Sequence, residues 1–324
     1  MKKNKEFNLL DFLRYILYSN LPNRNDNLKQ KLIKLLFILS LVVFIVCGIY
    51  IFGYFMSTEK HENILEETRK IWHQSVIEEE NENPNTYYEE TLTPEVALMR
   101  KNPDFKGWIT IADTKIDNPI YQTDNNEFYL NHDQNRKNSS YGALYFDYRN
   151  EITKGKTDKH LLIYGHEMKN GSMFGELKKL RSLDFYKNHP TFEFSTIYSK
   201  STYKIYSIFV LNAKKSDDAG NIYNLIGQDF TTESGFNKWV NDAKERSLIK
   251  TDVDVKFGDD TVALVTCCDD FPDARLVVMA RKTREGESTG VNIQNCTINP
   301  NPKYPRIWYE ERNIEYPFEQ TKEE

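Results

Sequence analysis

Apolar and polar residues are distributed along this chain in two different ways. From Leu35 to Thr58 there is no charged residue, and Leu, Ile, Val and Phe dominate. A helix of that length reaches about 36 Å, enough to cross a ~30 Å hydrocarbon core with some tilt. From Phe105 onward, short β-branched or aromatic runs are separated by turn residues. Eight of them predict strands: Gly107–Ile111, Pro119–Gln122, Gly142–Phe146, His160–Tyr164, Thr191–Phe194, Tyr203–Leu211, Thr261–Val265 and Leu276–Ala280. Strands without regular helix alternation point to a barrel or sandwich rather than a parallel sheet. Two helices interrupt the series. One covers Ser172–Leu183; the other covers Glu233–Leu248, where Phe236, Trp239, Val240 and Ala243 share one face. Ahead of the strands, the pattern predicts a helix over Ile64–Val76, a flexible linker around 78–93 and a short helix opening at Thr93-Pro94-Glu95. Residues 7–18 fit either an interfacial helix or a simple membrane-proximal tail. No element is predicted beyond Lys282.

Charge gives the apolar span a direction. Residues 1–34 hold eight Lys/Arg against Glu6, Asp11 and Asp26, a net of +5, so a chain of net −5 carries −10 beyond residue 34. By the positive-inside rule the N-terminus stays in the cytoplasm and everything after the span lies outside, a single-pass membrane protein. The span is longer than a signal-peptide core of ~7–15 residues and no small-x-small site follows it, which favours an anchor over a cleaved signal. The expected division is a basic N-terminus over 1–34, a transmembrane helix over 35–57, a juxtamembrane helix and linker over 58–103, a β domain over 104–283, and a C-terminal extension over 284–324. The acidic external part disfavours a nucleic-acid partner. Of four cysteines, Cys47 lies in the span, Cys267 and Cys268 are adjacent, and Cys296 is near the C-terminus. This is no disulfide framework, although a Cys268–Cys296 pair stays open. Neither a metal-ligand spacing nor a glycine-rich phosphate loop occurs, so no metal or cofactor is expected.

The chemistry gathers around Ala263–Cys268 and Arg275–Val278, two apolar runs joined by the polar turn Asp269–Asp273. A thiol ends the first run and a guanidinium opens the second. A thiol is mostly protonated at neutral pH, so a nearby imidazole or cation is needed to supply thiolate. Arg275 is such a cation, and its fork of donors suits a carbonyl or tetrahedral oxyanion. Among six histidines, His61 and His73 fall in the juxtamembrane helix, His132 and His189 in polar loops that read as solvated surface, and His160 opens a strand. His166 follows Tyr164-Gly165 at a strand end, where loops on a β scaffold bring chemistry together. Taken singly, His166 also fits a structural histidine and Arg275 a surface ion pair.

Together these residues resemble a known family. Tyr164-Gly165-His166-Glu167-Met168-Lys169-Asn170-Gly171-Ser172-Met173-Phe174, Leu264-Val265-Thr266-Cys267 and Asp273-Ala274-Arg275-Leu276-Val277-Val278 are similar to the His, TLxTC and Arg motifs of sortases, in a class B form. The resemblance runs from about Phe105 to Arg281. It implies an eight-stranded sortase-type β-barrel with peripheral helices, on the outer face of a Gram-positive membrane. It further implies a cysteine transpeptidase that cuts an LPxTG-like sorting signal near the C-terminus of a surface protein. Cys267 would form a thioacyl-enzyme, His166 would be the general acid/base, and Arg275 would orient substrate and stabilise the oxyanion. Thr266 would shape the pocket, and Asn126, in a segment similar to the family's QxxDNxxYL, would contact substrate. The implied partners are surface proteins or pilins bearing a sorting signal, and an amine from a cell-wall precursor or a lysine. Two departures stand out: Ala263 replaces the first Thr of TLxTC, and Cys268 follows the nucleophile. Neighbours in a strand face opposite ways, and the family pattern selects Cys267. Anchoring to a cell-wall precursor is the leading expectation. Pilin polymerisation, a hydrolytic surface cysteine peptidase and a non-enzymatic scaffold are the alternatives.

Overall fold

The computed structural model describes residues 9–81, 93–214, 222–227, 230 and 232–318, in two units that divide after Asn63. In the first unit, helix α1 covers Leu9–Ser19 and is followed by the start of α2, Leu28–Asn81. Asn27 and Gln30 cap α2 reciprocally, each side chain accepting from the other's backbone N–H at 2.9 Å. Leu36, Phe44, Ile49, Phe52 and Phe55 are exposed. Among the described residues, α2 is the one helix long and apolar enough to cross a membrane. The predicted gap between span and juxtamembrane helix is not present, because no Gly or Pro occurs between Thr58 and Asn81 to stop helix propagation. Residues 7–8 and most of the predicted linker lie outside the described residues.

In the second unit the eight apolar runs pair into a closed barrel. Its strands are β1 Phe105–Thr110, β2 Asp117–Tyr121, β3 Leu144–Phe146, β4 His160–Tyr164, β5 Thr191–Thr196, β6 Ser199–Asn212, β7 Thr261–Cys267 and β8 Ala274–Lys282. Around the barrel the order is β1-β2-β3-β4-β7-β8-β6-β5. β4 runs parallel to β7, and β2 parallel to β3, while the other neighbours are antiparallel. Closure leaves no open sheet edge.

The continuous apolar character of β7 and β8 follows from burial on both faces. Leu264, Leu276 and Val278 point into the barrel core with Ile109, Phe146, Ile163 and Phe194. Ala263, Val265, Val277 and Met279 face outward into a second core. That second core is covered by α5, Glu233–Arg246, whose Phe236, Trp239, Val240 and Ala243 form the predicted stripe. Ala263 is thus a small residue beneath a helix, on the face away from the barrel interior. The first turns of the second unit also pack inward: Trp72 stacks on Trp108 at 4.9 Å, and Arg69 donates to the Asp117 carbonyl at 2.8 Å. A short helix, α3 Pro94–Lys101, leads into β1.

Two regions of the second unit also differ from expectation. The helix predicted over Ser172–Leu183 is a turn, a 3₁₀ segment Leu177–Arg181 and a short α4, Leu183–Asn188. Gly171 at φ +87° and the Asn170 carboxamide, which accepts from both Ser172 N–H and hydroxyl, fold the chain back before any helix starts. The C-terminal extension, predicted to be structureless, contains a two-residue pairing of Thr297–Ile298 with Ile249–Lys250 and a helix, α6 Arg306–Glu310. Asp254, Asp259, Arg281, Arg284, Glu287 and Lys204 form an ion-pair cluster at its root. Cys296 is buried in the barrel core; all four cysteines are free, so Cys268 and Cys296 are not paired. Among the loop histidines, His132 stacks on Phe128 at 4.0 Å, and both ring nitrogens of His189 are hydrogen-bonded, so neither is simply solvated.

Candidate active site

The parallel pairing of β4 and β7 sets the histidine beside the cysteine strand. Gly165 N–H donates to the Val265 carbonyl at 3.1 Å, and the Thr266 hydroxyl donates to the Gly165 carbonyl at 2.8 Å. His166 therefore leaves the end of β4 with both peptide groups of Gly165 tied to β7. Gly165 cannot carry a side chain, since a Cβ there would meet Leu144 Cδ2 at 2.3 Å and the Phe174 ring at 2.8 Å. On the other side of the imidazole, Gly142 at φ +60° brings the chain to within 3.1 Å of His166 Cδ2, measured from where a Cβ would stand. The His166 ring is half-buried and its Nε2 lies 2.8 Å from the Leu130 carbonyl. A carbonyl only accepts, so Nε2 carries the proton and Nδ1 is the nitrogen left for proton exchange.

β7 and β8 place the other two residues. Cys267 and Arg275 are register partners in the antiparallel ladder, the last pair before the connecting turn. Cα atoms of such partners are about 4.5–5.5 Å apart. At the end of β7 the environment alternates: Thr266 is buried, Cys267 is exposed, and Cys268, the first residue past the strand, is half-buried against Phe271, Ala274 and Val210. Burial, reinforced by the Asp270 carboxylate, pushes the Cys268 thiol up to about 12. At neutral pH Cys268 is a protonated packing residue.

One cavity of about 860 Å³ unites the predicted catalytic set: His166, Thr266, Cys267 and Arg275 all line it. Its walls come from Leu130, Tyr145, Tyr164 and Leu211, and from Ile222–Ile226 in the connection before α5. That wall is tethered by Trp239 Nε1, which donates to the Asn224 carbonyl at 2.8 Å, and by His160, whose Nε2 donates to the Leu225 carbonyl at 3.0 Å. The cavity is thus a mostly apolar groove with a thiol, an imidazole and a guanidinium at one end, a shape suited to an extended peptide.

Asn126 does not line this cavity. Its Nδ2 donates to Asp147 Oδ2 at 3.0 Å and its Oδ1 accepts from Tyr148 N–H at 2.9 Å. Asp147 is fully buried and also accepts from Arg149 three times, twice from the guanidinium and once from the backbone N–H, and from the Tyr164 hydroxyl. Burial alone would raise its pKa, but these donors, Arg149 foremost, hold the carboxyl below the usual range. Gln122 Nε2 donates to the Asp147 and Asn150 carbonyls. The segments containing Gln122, Asn126 and Asp147 are therefore a brace behind Tyr164, one residue before Gly165. Tyr145 was missed from sequence; it lines the same cavity as Cys267 and Arg275, and burial raises its phenol pKa. Its place in Gly142–Phe146, three residues from Gly142, was the available signal. Ile222–Ile226 offered none. Among the described residues no group of His, Cys, Asp and Glu side chains is placed to hold a metal ion.

Comparison with known proteins bears on the family and the fold. A family profile described as the sortase domain matches residues 109–283. Sortase B of Listeria monocytogenes is 30% identical over 246 residues, covering 73% of this chain and 93% of that protein. Sortase B of Staphylococcus aureus is 28% identical over 197 residues, 60% of this chain and 77% of that one. Among solved structures, sortase B from Bacillus anthracis in complex with AAEK1 superposes with a TM-score of 0.58 at 27% identity, over 71% of this chain and 100% of that chain.

Proposed function

The chain belongs to the sortase family, in its class B, and on that premise we propose that Cys267, His166 and Arg275 carry out its transpeptidation. The protein is a cysteine transpeptidase that joins surface proteins bearing a sorting signal to an amine. In the proposed cycle the Cys267 thiolate attacks the carbonyl carbon of the scissile peptide in an LPxTG-like signal. The tetrahedral oxyanion is met by the Arg275 guanidinium, whose planar fork suits it. Collapse breaks the C–N bond, the leaving amine takes a proton from His166, and a thioacyl-enzyme remains. An incoming amine attacks the thioester, His166 takes its proton, and the Cys267 thiolate leaves. Thr266 shares the cavity but has its hydroxyl committed to Gly165, so its proposed part is to hold His166 in place. Asn126 is assigned to bracing rather than to substrate.

The observation that carries this reading is the single cavity shared by the three side chains, with Cys268 turned away and protonated. The test is turnover of a sorting peptide by the full chain, with and without an amine acceptor, and trapping of the thioacyl adduct. Cys267→Ala should abolish turnover and Cys268→Ala should retain most of it; the reverse pattern would overturn the assignment. Hydrolysis unaffected by any amine would instead favour a peptidase. For the acceptor we favour a cell-wall precursor over a pilin lysine. For topology we propose one span, with a cytoplasmic N-terminus and an external barrel.

A further inference from the structure

The extension beyond residue 283 lies outside the sortase-domain match, and none of its described residues lines the active cavity. It nevertheless closes over the back of the turn that joins Cys267 to Arg275. Tyr304 and Trp308 stack face to face, 4.2 Å between centroids and 5° apart. With Ile307 they pack against Val210, Phe271 and Ala274. Phe271 is the middle of the turn, Ala274 immediately precedes Arg275, and Val210 precedes Leu211, the β6 partner of Arg275. Arg312 lies over the Trp308 ring at 4.3 Å and donates Nη2 to the Asp270 carbonyl at 3.2 Å. Both terminal nitrogens of Arg181 also grip the Asp270 carboxylate, at 2.7 and 2.8 Å.

The turn has reason to need such a clamp. Residues 268–274 separate two register partners, and Asp273 sits at φ +61°, a left-handed conformation unfavourable for a side-chain-bearing residue. A strained turn persists only when its surroundings over-determine it. We propose that Tyr304, Trp308 and Arg312 are positioning residues: the extension is a strap that fixes the Asp270–Ala274 turn and thereby the placement of the Arg275 guanidinium relative to the Cys267 thiol. This rests on the assignment of Cys267 and Arg275 made above. A displacement of ~1 Å in a catalytic pair costs about 100-fold in rate, so a strap remote from substrate has leverage on the chemistry.

The test uses full-length variants and separates kcat from KM for a sorting peptide at saturating amine. Trp308→Ala should lower kcat about 10- to 100-fold with KM within about twofold, and Trp308→Phe, which keeps the stack, should restore most of it. Arg312→Gln, a milder surface change that settles the question if Trp308→Ala fails to fold, should lower kcat about 3- to 10-fold. Wild-type kcat in Arg312→Gln and in any folded Trp308→Ala, or a loss confined to KM, overturns the strap. Cys267→Ala serves as the control: if it turns over, the site assignment itself fails, whereas an inactive Cys267→Ala beside a fully active Trp308→Ala removes the strap alone.

Discussion

Two adjacent thiols, one ending a strand and one opening the turn after it, show how much chemistry depends on which way a side chain faces. Cys267 reaches solvent at the end of β7, while Cys268 turns into the cluster with Phe271 and beside Asp270. Arg275→Lys should reduce kcat by at least 100-fold in the same peptide assay, because an ammonium lacks the planar fork. Thr266→Val should leave the Gly165 carbonyl unpaired; we expect about 1–3 kcal/mol lower stability by urea denaturation, with activity falling as His166 loosens. His160 supplies a pH test. Its residue keeps some surface exposure, but the ring is edge-on to Trp239 at 4.8 Å and bonded at both nitrogens, and burial lowers its pKa to about 4. Unfolded histidine titrates near ~6.5, so between these values the unfolded chain binds the extra proton. This contribution to stability is complete above ~6.5 and is lost as pH falls toward 4, at most about 3 kcal/mol. His160→Gln should flatten the difference between urea midpoints at pH 7.5 and 4.5. That His166, Cys267 and Arg275 would be brought to one place was legible in the sequence because residue type, strand ends and order agree, and the three line one cavity. Asn126 was not, since a motif does not reveal that Asp147 already holds its amide.

At the level of elements, all eight strands were visible as apolar runs, and the stripe on α5 gave the helix that covers β7 and β8. What escaped had several causes. The 3₁₀ segment after His166 replaces a helix because a local side-chain turn competes for the backbone, and α6 is only five residues long and held by packing rather than propensity. The long α2 was underestimated because charge was taken as a boundary, although Thr58–Asn81 contains nothing that stops a helix. The β4–β7 junction makes a sharp prediction. Gly165→Ala would place a methyl against Leu144 and Phe174; overpacking of this kind costs about 1–3 kcal/mol. Thermal denaturation should show that loss, and peptide turnover should fall further than stability does, because the shift lands on His166.

For the molecule as a whole, the proposed topology can be read by labelling. In full-length protein carrying Asn20→Cys and Cys267→Ala in intact cells, a membrane-impermeant maleimide should not reach position 20, and should do so after permeabilisation. Labelling of intact cells would reverse the orientation. The barrel's connectivity also bears on when the enzyme becomes an enzyme. β4 and β7 are neighbours in space, yet Thr261 pairs with His160 across about a hundred residues of intervening chain. Long-range parallel pairing is slow to form, because loop-closure entropy is lost before the contacts exist to offset it. A chain emerging N-terminus first exposes its histidine strand well before its cysteine strand. Until β7 inserts between β4 and β8, Cys267 and His166 share no cavity, so on the proposed assignment a partly folded chain is catalytically silent.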